Sequence, residues 1–201
     1  RVVMEKFNQS NVQGMLIDLR GNGGGRLDQV EKMLKDLLLQ GTLLQTGNAF
    51  RQEPSEDDDG GQILFEKPIV VLVDSNSASA SEILAGVLQA YNRALVVGAE
   101  KSFGKGSVQT LFKVTDEGIV DYYLQHQDAR KIIKFTIRYY YLPNGVPVQG
   151  RGVTPDVYLQ ASQLSEATGR KNEYESDINP RLKSTVVVEN LLQSQDLWVS
   201  N

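Results

Sequence analysis

The sequence contains no cysteine among its 201 residues, and its single histidine is His126. The absence of cysteine excludes thiol nucleophiles, cysteine-ligated zinc and iron–sulfur clusters, and it leaves the redox compartment open because no disulfide can form. A single histidine excludes a histidine-rich metal site, and a Ser-His-Asp triad would have to use His126 in its polar surroundings. We therefore expect no metal centre.

The chain also lacks an excess of basic residues and a long apolar run. Lysine and arginine total 21 against 25 aspartates and glutamates, and the net charge of -4 provides no basic footprint for nucleic acid. The first residues do not have the layout of a signal peptide, and no apolar run reaches the roughly 18 residues of a membrane span. We predict no nucleic-acid partner and no integral membrane segment. Because the chain begins without an initiator Met, we expect a piece or processed form of a longer protein.

Apolar runs alternate with glycine-rich or polar turns over the first hundred residues, and 201 residues suffice for a sizeable core. The run at 14–19 predicts a buried strand, and the β-branched run at 68–74 predicts a strand covered on both faces. Strands are also predicted at 42–45 and 94–98, and helices from 27 with a stop at Gly41 and from 83 to 91. Strands that alternate with helices predict an α/β fold.

The rest of the chain changes character. Residues 108 to about 148 are β-rich and aromatic, and they include a predicted strand at 132–141. The acidic stretch 53–61 and the polar stretch 160–181 predict solvated loops, and residues 186–192 predict a short helix or strand.

Three segments combine small residues with reactive groups directly after predicted strands, where open α/β sheets build their sites. The first is the glycine cluster at 20–25, whose successive N–H groups could converge on an anionic oxygen. A tight strand-to-helix turn would explain the same glycines. A nucleotide phosphate is disfavoured, because the cluster lacks the spacing of a dinucleotide loop and no Gly-Lys-Ser/Thr follows it.

The second segment, 76–82, places a serine beside a helix N-terminus, where the helix dipole and free N–H groups favour developing negative charge. Ser79 and Glu82 also form a Ser-x-x-Glu capping box, which needs no catalytic role. The third segment, 102–109, holds Lys105 between two glycines. This lysine is either a surface charge or an amine delivered into a cleft, where burial turns a lysine into a usable base.

The serine and lysine segments support each other. A serine nucleophile needs a base, and the chain has no well-placed histidine. A Ser-Lys pair is an established substitute for Ser-His, so the two segments together favour nucleophilic catalysis.

Five motifs follow one another along the chain. They are Leu-Ile-Asp-Leu-Arg-Gly-Asn-Gly-Gly-Gly at 16–25, Ser-Ala-Ser-Ala-Ser-Glu-Ile at 77–83, Phe-Gly-Lys-Gly-Ser-Val-Gln at 103–109, Tyr-Leu-Pro-Asn-Gly at 141–145 and Gly-Val-Thr-Pro-Asp at 152–156. In their order and spacing the sequence resembles the C-terminal processing peptidases, or tail-specific proteases, of the S41 type. The likeness extends from about residue 12 to about residue 159.

The resemblance implies roles for particular residues. Ser79, the middle serine of its motif, corresponds to the nucleophile and Lys105 to the general base. Gln109 follows the lysine by four residues, the spacing of one helical turn, and corresponds to the residue that orients the lysine. The oxyanion hole would be formed by the backbone N–H of Ala80 and by that of Gly24 or Gly25.

The resemblance also implies a domain organisation. Residues 1–159 would be the peptidase core, lacking its N-terminal part, and residues 160–201 a C-terminal extension of polar linker and short helix or strand. The implied fold is a crotonase-like α/β core of mixed sheet with helices, followed by a β-rich segment. The family's usual PDZ module is not evident in this chain and would belong to the missing N-terminal part.

By the same resemblance, we expect a serine endopeptidase that cleaves protein substrates near their C-termini and recognises an apolar, free C-terminus. No cofactor is implied. The family's usual sites of action suggest a periplasmic or otherwise exported location.

Two departures from the family pattern leave alternatives open. Ala90 stands where tail-specific proteases commonly have an aspartate, which leaves room for a catalytically impaired homologue that acts as a peptide-binding module. The loop before Lys105 carries one extra residue, which makes Lys101 a rival base. Acyl-CoA chemistry of the crotonase kind is a third possibility, but it would leave the Ser-Lys pair unexplained.

Overall fold

The structure, a computed structural model, describes residues 2–38, 41–47, 52–54, 63–98, 101–115, 118–121, 132–159 and residue 174. Most of the acidic stretch at 53–61, His126, and almost all of the extension at 160–201 lie outside the described residues.

The described chain forms three helices and nine strands in two sheets. The helices are α1 (Val2–Gln9), α2 (Leu27–Leu37) and α3 (Ala80–Ala90), and the strands are β1 (Met15–Asp18), β2 (Gln45–Gly47), β3 (Gln52–Pro54), β4 (Ile69–Val73), β5 (Leu95–Gly98), β6 (Ser107–Thr115), β7 (Gly118–Asp121), β8 (Ile132–Tyr141) and β9 (Val157–Tyr158). A parallel sheet has the order β1-β4-β5-β9, and an antiparallel sheet has the order β3-β2-β8-β6-β7.

The predicted α/β core is confirmed. In β4 the side chains of Ile69, Val71 and Val73 on one face are buried, whereas Val70 and Leu72 on the other face are half-buried. The expected cover on both faces is therefore complete on one face only. Helix α3 is buried along its first nine residues, so it runs through the core rather than over it. Helix α2 presents a stripe of buried side chains, Val30, Leu34 and Leu37, at helical spacing.

Two element boundaries differ from the prediction. The predicted strand at 42–45 is displaced to β2, because Gln45 is the first residue that pairs with β8. Helix α2 ends at Leu37, before the expected stop at Gly41, and Leu38 is already extended. Gly41 instead has a φ of +124°, and the ring of Tyr91 occupies the space where a Cβ would stand.

The prediction that β1 is buried is wrong. This strand pairs only with β4 among the described strands, and Leu16 is 61% exposed, while Met15 and Ile17 are half-buried. An apolar run predicts a strand, but only the neighbouring elements decide whether that strand lies inside the sheet or at its edge.

The antiparallel sheet forms one wall of the site described below. Strands β6 and β8 pair along most of their length, with a register shift between Val108 and Gln109. This irregularity lies at the end of β6 next to the predicted lysine loop. Bulges of this kind redirect side chains beside active sites.

Among the described residues, no helix combines the length and the apolar character needed to cross a membrane.

Candidate active site

Ser79 lies at the turn between β4 and α3, at the N-cap position of the helix. Its backbone has φ 58° and ψ -120°, a conformation that residues with a Cβ rarely adopt. Such strain persists only where the surroundings enforce it, and it concentrates at functional sites. The turn leaves the Ser79 side chain half-buried, between the end of β4 at Val73 and the start of α3 at Ala80.

The three serines of the motif have different surroundings. The Ser77 hydroxyl is fully buried, donates to the Leu19 carbonyl at 2.8 Å and accepts the Asp74 N–H at 3.0 Å. Ser81 is buried in the first turn of α3. Ser79 is half-buried and lines a cleft of about 390 Å³. Of the three, only Ser79 is available to a substrate in this cleft.

Lys105 lines the same cleft, from the loop that precedes β6. Its N–H donates to Glu82 Oε2 at 2.8 Å, and its carbonyl accepts a hydrogen bond from the Tyr140 hydroxyl. Steric constraints explain the glycines on both sides of Lys105. Gly104 has a φ of +96°, and a Cβ on Gly106 would lie 2.4 Å from the Gln149 nitrogen. The backbone of Lys105 is therefore fixed on both sides.

Glu82 connects the serine turn to the lysine loop. Its carboxylate is fully buried and accepts four hydrogen bonds: from Ser79 N–H (2.8 Å), Lys105 N–H (2.8 Å), Gly104 N–H (2.6 Å) and the Ser102 hydroxyl (2.5 Å). Burial raises the pKa of this carboxyl, and the four hydrogen bonds oppose the shift.

The glycine cluster packs directly against the serine turn. Gly24 has a φ of +102°, and a Cβ on it would lie 2.7 Å from Ser79 Cβ and 3.0 Å from the Ala80 nitrogen. The Gly24 N–H donates to Asn22 Oδ1 at 2.9 Å. Gly25 and Ala80 line the cleft, and within the described part of the chain neither N–H has an acceptor.

Further hydrogen bonds hold the two loops together. The Ala78 N–H donates to the Asn22 carbonyl at 3.0 Å, and the Gly21 N–H donates to Asp74 Oδ1 at 3.0 Å. The loop after β1 and the turn after β4 thus form one hydrogen-bonded unit.

Arg20, the first residue of the glycine cluster, is not among the residues that line the cleft. Its Nη2 lies 2.7 Å from Asp18 Oδ2. The side-chain hydrogen bond from Arg20 lowers the pKa of Asp18 to about 2. The guanidinium therefore pairs with Asp18 at the end of β1 and does not bind an anion in the cleft.

Gln109 lines the cleft, but from the strand β6 rather than from a helix. Its amide makes no hydrogen bond to Lys105, and Ser79 Oγ and Lys105 Nζ are not hydrogen-bonded to each other, within the residues that the structure describes. Catalytic hydrogen bonds often form only once substrate is bound. The structure thus brings Ser79, Lys105 and Gln109 to one cleft.

The remaining walls of the cleft are not predicted by the sequence motifs. The other lining residues are Leu27, Ile83, Ser107, Val108, Leu111, Lys134 and Tyr140. For Ser107 and Leu111 the sequence does carry a signal, because alternation along a strand places residues 107, 109 and 111 on one face. Tyr140 and Lys134 lie on β8. Because β8 is distant in sequence from the lysine loop, no local pattern predicts that these two residues line the same cleft.

Lys101, the rival base, lies elsewhere. It lines a separate cavity of about 380 Å³ together with Gln89 and Arg151, and its ammonium lies 4.5 Å from the centre of the Tyr174 ring. Ala90 is the last residue of α3, at the opposite end of that helix from Ser79. Across the described ranges, no cluster of three or more acidic or histidine side chains could hold a metal ion.

The comparison with known families agrees with this architecture. The profile of peptidase family S41 matches residues 1–159, and the chain belongs to that family.

Particular relatives carry more specific names. A carboxy-terminal-processing protease of Bartonella bacilliformis is 36% identical over 159 residues, which cover 79% of this chain and 33% of that protein. A tail-specific protease of Haemophilus influenzae is 28% identical over 155 residues, 77% of this chain and 21% of that protein. Among solved structures, a photosystem II D1 C-terminal processing protease matches with a TM-score of 0.65 and 31% identity, over 78% of this chain and 37% of that one. The chain thus spans about a third or less of the length of these relatives.

Proposed function

We propose that this chain carries the catalytic part of a serine endopeptidase with a Ser-Lys dyad. The observation that carries the proposal is the shared cleft: Ser79 and Lys105 line one cavity, and the buried carboxylate of Glu82 accepts a backbone N–H from each. Membership of a peptidase family supports the same conclusion.

In the proposed reaction, Ser79 Oγ attacks the carbonyl carbon of the scissile peptide bond while the neutral amine of Lys105 accepts the hydroxyl proton. The C–N bond breaks, and the lysine returns the proton to the leaving amine. A water molecule, deprotonated by the same amine, then attacks the acyl-serine ester and releases the second product with regeneration of Ser79. We assign to Gln109 the role of orienting the lysine once a peptide fills the cleft.

The N–H groups of Ala80 and Gly25 are the proposed oxyanion donors. The sequence alone allowed Gly24 or Gly25, and Gly25 is favoured because the Gly24 N–H already donates to Asn22 Oδ1. Each such donor contributes roughly 3 kcal/mol to transition-state stabilisation. Gly24 remains essential through its backbone conformation and its contact with Ser79.

The substrates that we propose are proteins with an apolar, free C-terminus, cleaved near that end. The names of the Bartonella and Haemophilus relatives support cleavage near the C-terminus. The preference for an apolar, free end is what the resemblance implies. A PDZ module in a longer protein would help to recognise such ends. The proposed location is periplasmic or otherwise exported, as the family resemblance implies.

A serine-directed fluorophosphonate tests the proposal. We expect a mass increment on the peptide that contains Ser79, and loss of labelling in Ser79→Ala. Cleavage of a denatured protein substrate, analysed by mass spectrometry of the new termini, should then show cuts near C-termini. No label on Ser79, together with retained peptide binding, would instead indicate an impaired, peptide-binding homologue. Thioester hydrolysis without peptide cleavage would indicate acyl-CoA chemistry.

A further inference from the structure

The cleft contains a second lysine that the proposed mechanism does not use. Lys134 lies on β8 directly opposite Leu111 of β6, and both residues line the cleft. The Lys134 side chain is exposed, and among the described residues its ammonium has no hydrogen-bond or ion-pair partner. It therefore faces the same space that a peptide substrate would enter.

Among the residues that the structure describes, the cleft is lined by charge of one sign. Two lysines, Lys105 and Lys134, line it, and no described aspartate or glutamate does. Glu82 lies behind the lysine loop, buried and engaged in four hydrogen bonds, and does not line the cleft. A concave surface lined by charge of one sign attracts a ligand group of the opposite sign.

Lys134 is also poorly placed to replace Lys105 as the base. Lys105 is fixed relative to Ser79 through the Glu82 carboxylate, whereas Lys134 belongs to the antiparallel sheet and has no such link. Its cross-strand neighbour Leu111 is apolar, Val108 lines the same cleft, and a bound peptide would exclude water from this wall. An ion pair formed there is less screened than one in open solvent.

We infer that Lys134 binds a carboxylate of the peptide substrate and thereby selects the position of the scissile bond, an inference that rests on the proposed peptidase function. The carboxylate belongs either to an acidic side chain near the cleaved bond or to the free C-terminus of the peptide. Both sources present the same anion to the ammonium, so peptides must distinguish them.

The test uses short peptides of Ala, Val and Ser in which a single Glu is moved through each position, each with a Gln counterpart. Every peptide is made as the free acid and as the C-terminal amide. For the wild-type chain we expect kcat/KM to be about fivefold higher for Glu than for Gln at one position, or for the acid than for the amide. The first result identifies a side-chain carboxylate, and the second identifies the C-terminal one.

Three variants assign the effect. In Lys134→Gln the kcat/KM of the acidic peptide should fall to that of its neutral counterpart in the same variant, and in Lys134→Glu the preference should reverse. Lys32→Gln removes the same charge from α2, away from the cleft, and should keep the preference. If Lys134→Gln retains the wild-type preference, or slows acidic and neutral peptides equally, the inference is wrong.

Binding separates this inference from the proposed function. Fluorescein-labelled peptides are titrated into Ser79→Ala and into Ser79→Ala combined with Lys134→Gln, with fluorescence anisotropy as the readout. If the binding preference depends on Lys134 but the wild-type chain cleaves no peptide, the carboxylate site is supported and the proposed peptidase function is overturned. Cleavage with no Lys134-dependent preference in either assay supports the peptidase and overturns the carboxylate site.

Discussion

Glu82 Oε2 accepts the N–H of Lys105 at 2.8 Å, and the same oxygen accepts the N–H of Ser79 at 2.8 Å. The proposed base and the proposed nucleophile are therefore positioned by one buried atom. Their relative placement does not depend on a direct contact between their side chains.

The first prediction concerns this carboxylate. An amide can present only one acceptor oxygen, so Glu82→Gln must lose the hydrogen bonds at one of the two positions that Glu82 now fills. Displacement of the serine or the lysine by about 1 Å should lower kcat roughly a hundredfold. Single-turnover acylation measures this loss, and circular dichroism checks that the fold persists. Glu31→Gln, a change on α2, should leave kcat unaffected, and an equal loss in both variants would contradict the argument.

Glu82 also predicts a pH dependence of stability. Because burial raises its pKa in the folded state, the fold binds this proton more tightly than the unfolded chain does. The Glu82 contribution to stability is present below its ordinary pKa of 4.5 and is lost as the pH rises through the raised value. Urea unfolding at a series of pH values should show this decline in the wild type. The decline should be absent in Glu82→Gln, and an unchanged profile would refute the assignment.

The serine motif predicts three different outcomes. Ser79→Ala should reduce peptide cleavage at least about a thousandfold with little change in stability. Ser81→Ala should retain most activity. Ser77→Ala should lower stability by roughly 1–3 kcal/mol, because the Leu19 carbonyl and the Asp74 N–H lose a buried partner. The folded variant should retain most activity, because Ser79 is still present. Wild-type cleavage by Ser79→Ala, in a preparation free of other proteases, would show that the nucleophile is misassigned.

Lys105 predicts a dependence of activity on pH. If its amine is the base, kcat/KM must rise with pH as the amine loses its proton. Arginine keeps the positive charge but cannot deprotonate, so Lys105→Arg should abolish activity. Lys101→Arg, in the separate cavity, should behave as the wild type does. Turnover retained in Lys105→Arg, with the alkaline rise lost in Lys101→Arg, would move the base to Lys101.

Two neighbouring glycines offer a matched pair. In Gly24→Ala the new Cβ would meet the Ala78 carbonyl oxygen at 2.6 Å and Ser79 Cβ at 2.7 Å, at a φ of +102°. We expect a loss of about 2 kcal/mol or more in stability, together with loss of activity. Gly23 has open space at its Cβ position, and Gly23→Ala should change stability by less than about 0.5 kcal/mol. Thermal unfolding and acylation rates compare the two, and equal effects would contradict the packing argument.

Ala90 tests the departure from the family pattern. It lies at the C-terminal end of α3, roughly 16 Å along the helix axis from Ser79. Ala90→Asp places a negative charge at the unfavourable end of the helix dipole and should lower stability by up to about 1 kcal/mol. The single-turnover acylation rate should stay the same. A large gain in that rate at an unchanged melting temperature would show that the family's aspartate has a catalytic role.

The order of strands and helices could be predicted because the spacing of apolar residues that distinguishes a strand from a helix is visible within a few consecutive residues. The exposure of β1 could not, since an edge strand is defined by the neighbours that it lacks. Likewise Gln109, four residues after Lys105, had the spacing of a helical turn, yet pairing with β8 places it in a strand.

The candidate site was predicted from short motifs, and what was missed depends on long-range contacts. Glu82 was recognised only as a helix-capping residue, because two of its partners, Ser102 and Lys105, follow it by about twenty residues. A single ionisable residue in a largely apolar helix is the sequence signal that indicates its importance. Lys134 reaches the cleft only through the pairing of β6 with β8, and no local pattern encodes that pairing.

The hydrogen bonds from Ala78 N–H to the Asn22 carbonyl and from Gly21 N–H to Asp74 are made by the protein's own groups and fix the backbone on both sides of the cleft. The backbone dipoles around Ser79 are thus already oriented when a substrate arrives. In solution, water must reorient around a developing oxyanion, and that reorganisation contributes to the barrier. In the proposed reaction these dipoles are oriented by folding, so their interaction with the peptide can lower the barrier to bond cleavage itself.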